Sequence, residues 1–187
     1  MAIHLPPEIL SRVGLYAQSV QEALRGFAGV MRWVPTHQFH ITLKFLGETD
    51  PRQLNYLSSS LETACGAASP FSVDLSEASV GPSGGVPKTI WLRIVQEQNA
   101  LEALAERVDL ACKSLGFPAE ARRFVPHVTL ARIKKPLARE SLERGLRSIP
   151  PAAFPTFKAS AAYLVRSRLH ANGADYDTLA EFPFEKP

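Results

Sequence analysis

The sequence predicts an α+β protein in which two pseudo-symmetric lobes of mainly antiparallel sheet line a central cleft, with helices outside. Three observations carry that prediction. The stretch Phe39-His40-Ile41-Thr42-Leu43-Lys44-Phe45 is written a second time as Pro126-His127-Val128-Thr129-Leu130-Ala131-Arg132. Around each copy the pattern of apolar residues runs strand, helix, motif strand, helix, strand, so the chain reads as an internal duplication. Between the halves lies Gly81-Pro82-Ser83-Gly84-Gly85-Val86-Pro87, the most evident loop in the chain, which predicts a crossing from lobe to lobe near 81–88. The 187 residues then form a single bilobal domain, 1–187, long enough to bury a shared core.

In chain order, Met1 to Leu5 is a short apolar opening, predicted as an edge strand. Pro6-Pro7-Glu8 opens a helix with proline in the first turn and an acid at the positive end of the dipole. Ile9, Val13, Tyr16, Val20, Leu24 and Phe27 repeat at helical spacing as far as Gly29. Arg32-Trp33-Val34-Pro35 leads into the first motif strand, with His37 in a surface turn just ahead of it. Gly47 breaks that strand, and Thr49-Asp50-Pro51 begins a second helix with Leu54, Leu57, Leu61 and Ala64 on one face. Phe71 to Leu75 alternates as a strand, and Thr89 to Val95 forms another. Asn99 to Leu115 is a helix with Leu101, Leu104, Val108 and Cys112 inward, ended by Gly116-Phe117-Pro118. The second motif strand follows, then a helix from about Leu137 to Arg147 and strands near Phe157 to Ser167 and Tyr176 to Phe182.

On a strand successive side chains alternate faces, so His40 and Thr42 share one face while Ile41, Leu43 and Phe45 share the other. The same rule joins His127 to Thr129 and sets Val128 and Leu130 opposite. Each motif strand thus has an apolar face for a core and a polar face with one imidazole and one hydroxyl. Two such strands facing each other would enclose two imidazoles, able to act as base and acid near neutral pH, and two hydroxyls able to hold non-bridging phosphate oxygens. In-line displacement at phosphorus needs that set of groups. One His-x-Thr alone is more often a hydrogen-bonded structural pair; its recurrence at corresponding places makes the functional reading the stronger one. Lys44 falls on the cleft face, with a solvated strand end as its plain alternative. Phe45 and Trp33 offer aromatic faces for a base, or simply core.

Composition excludes several classes. A net charge of +3 and a pI near 9.0 permit a polyanionic partner without demanding one. Arg122, Arg123, Arg132, Lys134, Lys135 and Arg139 flank the second motif, and Arg123 is a candidate at the cleft rim. The two cysteines, Cys65 and Cys112, sit late in predicted helices with no CxxC and no metal spacing. The histidines lack an HExxH arrangement and a carboxylate cluster, so no metal site is expected. No G-x-S-x-G and no P-loop is present, which leaves a serine nucleophile and ATP-dependent ligation without support. No basic-then-apolar leader and no apolar run of about 18 residues occurs, so a cytoplasmic setting with no membrane association is expected. No protein partner can be inferred.

Twin H-x-T-L strands resemble the two-histidine phosphoesterase superfamily, and more closely its RNA 2′,3′-cyclic phosphodiesterases, also described as 2′-5′ RNA ligases. The resemblance extends through Ala2-Ile3 and Leu5-Pro6-Pro7-Glu8, Arg32-Trp33-Val34, His40 to Glu48, Gly116-Phe117-Pro118, Arg123-Phe124 to Arg132, and Ala180-Glu181-Phe182-Pro183, essentially the whole chain. It implies a metal-independent, cofactor-free enzyme that opens a terminal 2′,3′-cyclic phosphate on RNA to a 2′-phosphate, with 2′-5′ ligation as a side or reverse activity. The alternatives are a non-catalytic module binding RNA ends, or a related phosphodiesterase acting on 2′-5′ oligonucleotides or small cyclic nucleotides. The resemblance further implies His127 as proton acceptor, His40 as proton donor, Thr42 and Thr129 as phosphate-binding residues, and Arg132 as a phosphate-contacting arginine. Arg132 stands five residues after His127, and an odd offset puts it on the opposite strand face; only a strand that bends or ends near Ala131 brings it round. The family's opening strand usually starts several residues earlier, so the start here looks truncated, with initiation upstream. His4, where the family has a small or acidic residue, is not expected to be catalytic.

Overall fold

A computed structural model describes residues 1–95, 99–170 and 173–185. Its strands are β1 (Ala2–His4), β2 (Met31–Trp33), β3 (His40–Thr42), β4 (Phe71–Gly81), β5 (Thr89–Val95), β6 (His127–Ile133), β7 (Phe157–Ala159), β8 (Ala161–His170) and β9 (Gly173–Pro183). Its helices are α1 (Pro7–Ala23), α2 (Leu54–Gly66), α3 (Ala100–Lys113) and α4 (Arg139–Leu146). The strands join in the order β7-β4-β5-β6-β3-β1-β8-β9, with β2 against β6 beside β3, and every pairing is antiparallel. The expected α+β class with antiparallel sheet and outer helices is therefore what the chain adopts.

The core lies between the helices and one face of this sheet. Ile3, Ile41, Ile90, Leu92, Val128 and Leu130 meet Val13, Val20, Leu57, Leu61, Leu104 and Val108 with nothing exposed beyond 1%. Burying each such side chain contributes roughly 1.5–3 kcal/mol. The helical periodicity of the sequence is fulfilled by this seam, α1 opening with Pro7 in its first turn and Glu8 near its positive end. Helices cover one face of the sheet, and the other face is left to form a cleft.

Two expectations change. Residues 82–88 do not cross between lobes: they turn β4 back onto β5, its hydrogen-bonded neighbour. Glycine and proline announce a turn, and nothing in their presence tells what the turn joins. The crossings fall instead after the first motif strand, through α2 to β4, and between β7, which lies beside β4, and β8, which lies beside β1. The opening strand is not an edge either; β1 lies between β3 and β8.

Candidate active site

The motif strands lie side by side. β3 and β6 pair antiparallel with Ile41 opposite Val128, which sets His40 opposite Thr129 and Thr42 opposite His127. Both core-facing residues of that pairing are fully buried, and the four polar side chains stand on the reverse face. The imidazoles occupy diagonal corners of a square whose other corners are hydroxyls. Diagonal neighbours in an antiparallel pair are roughly 7–8 Å apart, enough to admit a phosphate between them.

Each imidazole is anchored the same way. Nδ1–H of His40 donates to the Gln38 carbonyl at 2.7 Å, and Nδ1–H of His127 donates to the Val125 carbonyl at 2.7 Å. A carbonyl only accepts, so the neutral ring keeps its proton on Nδ1 and presents Nε2 as a lone pair. His40 Nε2 lies 3.0 Å from the Thr42 hydroxyl, whereas His127 Nε2 has no protein partner among the described residues. The Gln38 carbonyl belongs to a 3₁₀ turn, Thr36–Gln38, seated on α1. Glycine at 14 permits that seat: a Cβ there would come within 2.7 Å of Thr36 Cγ2.

Aromatic rings wall both histidines. The Trp91 ring centroid is 4.4 Å from that of His127, tilted by 45°, and Tyr176 of β9 meets His40 edge-on at 5.4 Å. Trp91 fits because residue 81 is glycine; a Cβ there would stand 2.6 Å from the indole. The Trp91 Nε1–H is buried without a partner among the described residues. These rings strip water from the imidazoles, and burial holds both histidines below their ordinary value of 6.5, partly offset by the carbonyl bonds and reinforced by the Arg132 charge.

Arg132 reaches the cleft, and the backbone explains how. Ile90 pairs with Ala131 but Trp91 pairs with Thr129, so Leu130 is an extra residue in β6, a β-bulge. Leu130 and Ala131 are both fully buried, the alternation slips by one, and Arg132 emerges on the same side as Thr129 and His127. The strand bends without ending there. The first copy does the same. The N–H groups of Leu43 and Lys44 both donate to the Met1 carbonyl, at 2.8 and 3.3 Å, two residues against one. Leu43 and Lys44 are both buried, and Phe45 emerges 71% exposed into the cleft. Phe45 therefore leaves the core face that strict alternation assigns it.

Lys44 follows neither of its sequence-based readings. It is 2% exposed, with Nζ donating to Asp109 Oδ1 of α3 at 2.5 Å and to the Pro118 carbonyl at 2.7 Å. Its charge is neutralised within the protein, and Asp109 is held below the usual aspartate range by that bond. Of the basic residues flanking the second motif, Arg122, Arg123 and Arg132 line the cleft. Arg139 is committed elsewhere, donating to the carbonyls of Val80, Pro82 and Gly85.

The cleft measures about 1130 Å³, and Arg32, Trp33, Thr89, Trp91 and Tyr176 join the motif residues in its lining. A second hollow of about 910 Å³ adjoins it across His40, Thr42 and Tyr176, towards β8 and β9. Sequence reasoning did not single out Arg32, Trp91 or Tyr176 for the site; the paired position of Arg32 and the ring contacts appear only once strands are aligned. Among the described residues no group of three or more His, Cys, Asp or Glu side chains is gathered to hold a metal ion.

A curled, mostly antiparallel sheet with helices is a form shared with solved structures. TT0787 of Thermus thermophilus superposes with a TM-score of 0.77 at 28% identity, over 98% of this chain and 96% of that one. Apo LigT of E. coli shares the fold, with a TM-score of 0.75 at 23% identity over 99% and 95%. A profile of the 2′-5′ RNA ligase superfamily matches residues 16–170, and the chain belongs to that superfamily. Curated relatives agree in name. The RNA 2′,3′-cyclic phosphodiesterase of Thermus thermophilus is 31% identical over 188 residues, covering 97% of this chain and 87% of that protein. The protein of the same name in Methanocaldococcus jannaschii is 26% identical over 182 residues, 97% and 98% of the two chains. That of Geobacillus stearothermophilus is 34% identical over 151 residues, 81% of this chain; the match spans only about half of that relative, 47%.

Proposed function

We propose that this protein hydrolyses the 2′,3′-cyclic phosphate at the end of an RNA to a 2′-phosphate, by acid–base catalysis between His127 and His40. The observation that carries the reading is the diagonal placement of two imidazoles, each fixed by a carbonyl two residues before it. His127 Nε2 has no protein partner among the described residues, and His40 Nε2 meets the Thr42 hydroxyl of the same square. A cyclic phosphate seated there meets a base on one side and an acid on the other. His127, whose Nε2 has no protein partner among the described residues, takes a proton from water as the water oxygen bonds to phosphorus. The bond from phosphorus to the 3′ oxygen breaks, and protonated His40 Nε2 gives that oxygen its proton. Thr42 and Thr129 hold non-bridging oxygens, and Arg132 balances the charge that gathers on them.

With a ribose 5′-hydroxyl in the place of water, the same steps form a 2′-5′ linkage. Phe45 offers its exposed face to the base of the terminal nucleoside. The curated relatives named RNA 2′,3′-cyclic phosphodiesterase support the substrate. Two free, buried cysteines, Cys65 and Cys112, support a reducing cytoplasmic setting, and no described helix is long and apolar enough to cross a membrane. Metal independence is part of the proposal. The test is incubation of a cyclic-phosphate-ended oligoribonucleotide with and without EDTA, with the product resolved as 2′- or 3′-phosphate. A 2′-phosphate formed equally in EDTA is expected. Activity lost in EDTA and restored by Zn²⁺ or Mn²⁺, or a 3′-phosphate product, overturns the mechanism.

A further inference from the structure

Arg32 on β2 is the register partner of Arg132 on β6. Paired positions of an antiparallel ladder project to one face, and both arginines line the cleft. Like charges directly opposite on neighbouring strands are destabilising unless an anion lies between them. The protein supplies none: neither guanidinium has a carboxylate or other hydrogen-bond partner among the described residues. Several cations elsewhere are paired with a carboxylate, as in Arg25 with Glu22, Lys44 with Asp109, and Arg166 with Asp177. Arg122 and Arg123 extend the unpaired positive wall along the same cleft. In the adjoining hollow beyond His40, the one arginine in the lining among the described residues, Arg166, is already paired with Asp177.

A single reacting phosphate accounts for Arg132 and leaves Arg32 without an anion. We propose that Arg32, backed by Arg122 and Arg123, binds a second phosphate of the substrate: the one on the 5′ side of the nucleoside that carries the cyclic phosphate. This rests on the phosphodiesterase reading, because in such an RNA end that is the other phosphate one nucleoside away from the reacting centre. The RNA strand then leaves the catalytic square along β2, not along the β8–β9 hairpin.

The smallest pair of probes is a nucleoside 2′,3′-cyclic phosphate with and without a 5′-phosphate. The wild-type protein is expected to turn over the 5′-phosphorylated compound with a kcat/KM roughly tenfold higher, the scale of one charge-assisted contact at an exposed site. Arg32→Ala is expected to bring the ratio near one, and Arg32→Lys to retain part of it, a point charge without the bidentate fork. Because the like-charge pair is relieved, Arg32→Ala is also expected to melt no lower than wild type without phosphate. No preference in the wild type, a preference that survives Arg32→Ala, or a lowered melting temperature overturns the proposal. If neither compound is turned over, the activity reading falls, and calorimetric binding of the same two nucleotides decides the subsite. Tighter, Arg32-dependent binding of the 5′-phosphorylated one upholds it, and equal binding overturns it.

Discussion

The two motif strands share a backbone and differ in what that backbone displays. Each runs His, buried residue, Thr, then two buried residues in succession, and then a side chain returned to the cleft by the bulge. In the first copy the returned residue is Phe45, and in the second it is Arg132. The buried pair is Leu43-Lys44 in one and Leu130-Ala131 in the other, so a charge that is buried and paired on one side has a methyl group as its counterpart. Even the histidines differ, since only His40 has its Nε2 against its own threonine. The duplicated device is the geometry, and the chemistry has been divided between the copies.

The histidine pair gives the largest effect by which that division can be broken. His40→Ala and His127→Ala are each expected to lower kcat on a cyclic phosphate by roughly 10²- to 10⁴-fold, the usual weight of a general acid or base. On an aryl phosphodiester, whose leaving group needs no proton, His40→Ala is expected to recover part of its loss and His127→Ala none. The reverse pattern would exchange the two roles. Equal losses on both substrates would reduce the histidines to phosphate holders.

Next comes stability at Lys44 and its counterpart Ala131. Asp109→Asn leaves the Lys44 ammonium buried with the Pro118 carbonyl for company, and is expected to cost about 3 kcal/mol in urea unfolding. Lys44→Met removes the charge and is expected to cost clearly less. Asp109 has a depressed pKa, so the stability from its pair is present above the ordinary 3.8 and is lost as pH falls through the lower folded value. The gap between wild type and Asp109→Asn should narrow there. Equal costs for the two variants would mean that burial of the cation is not what Asp109 offsets.

The returned residues come third. Arg132→Met is expected to lose roughly 1.5–3 kcal/mol of transition-state stabilisation on any phosphodiester, because it removes a charged hydrogen bond. Phe45→Leu is expected to lose at most about tenfold, read in KM and confined to substrates with a nucleobase. A Phe45→Leu defect of equal size on a base-free substrate would show that stacking is not its role.

The threonines, at a similar scale to Phe45, come last. Thr42→Val and Thr129→Val should each reduce kcat/KM by about tenfold through one lost hydrogen bond to phosphate. Both histidines are depressed by burial, so the pH profile of kcat/KM should be a bell whose maximum falls on the acid side of 6.5, its limbs belonging to the pair. Thr42→Val replaces the hydroxyl on His40 Nε2 with a methyl and favours the neutral ring further. The limb for loss of the acid should therefore move to lower pH. Thr129→Val should change the height alone. A profile rising steadily from about pH 5 to 9 would count against paired imidazoles.

What the sequence made legible follows from which physics is local. Alternation along a strand placed His40 with Thr42 and His127 with Thr129, and helical spacing placed Val13, Leu61 and Val108 in the core. Alternation fails where a residue is inserted against a partner strand, and the insertion at Leu130 is visible only when β5 is aligned beside β6. That kind of slip returns to the cleft the two motif neighbours that strict alternation sets on the core face, Arg132 and Phe45. Lys44 needed Asp109, 65 positions away, before its burial made sense. Arg32 carried no signal of its own until the register of β2 set it against Arg132. The turn at 82–88 was plain, and its destination was not, because pairing partners are a property of the sheet and not of the loop.

The strand order also bears on ancestry. β4, last strand of the first half, pairs with β5, first strand of the second; β8, from the second half, pairs with β1 of the first. Each half has lent its closing strand to the other. A half-length chain with the pattern β-α-β-α-β could complete this sheet only by exchanging that strand with a second copy of itself. Such a dimer would hold two identical H-x-T strands along its twofold axis, with the same residue returned to the cleft from each. A single chain that joins the two halves through the hairpin at 82–88 carries no such symmetry requirement, so one position can hold an arginine while its counterpart holds a phenylalanine.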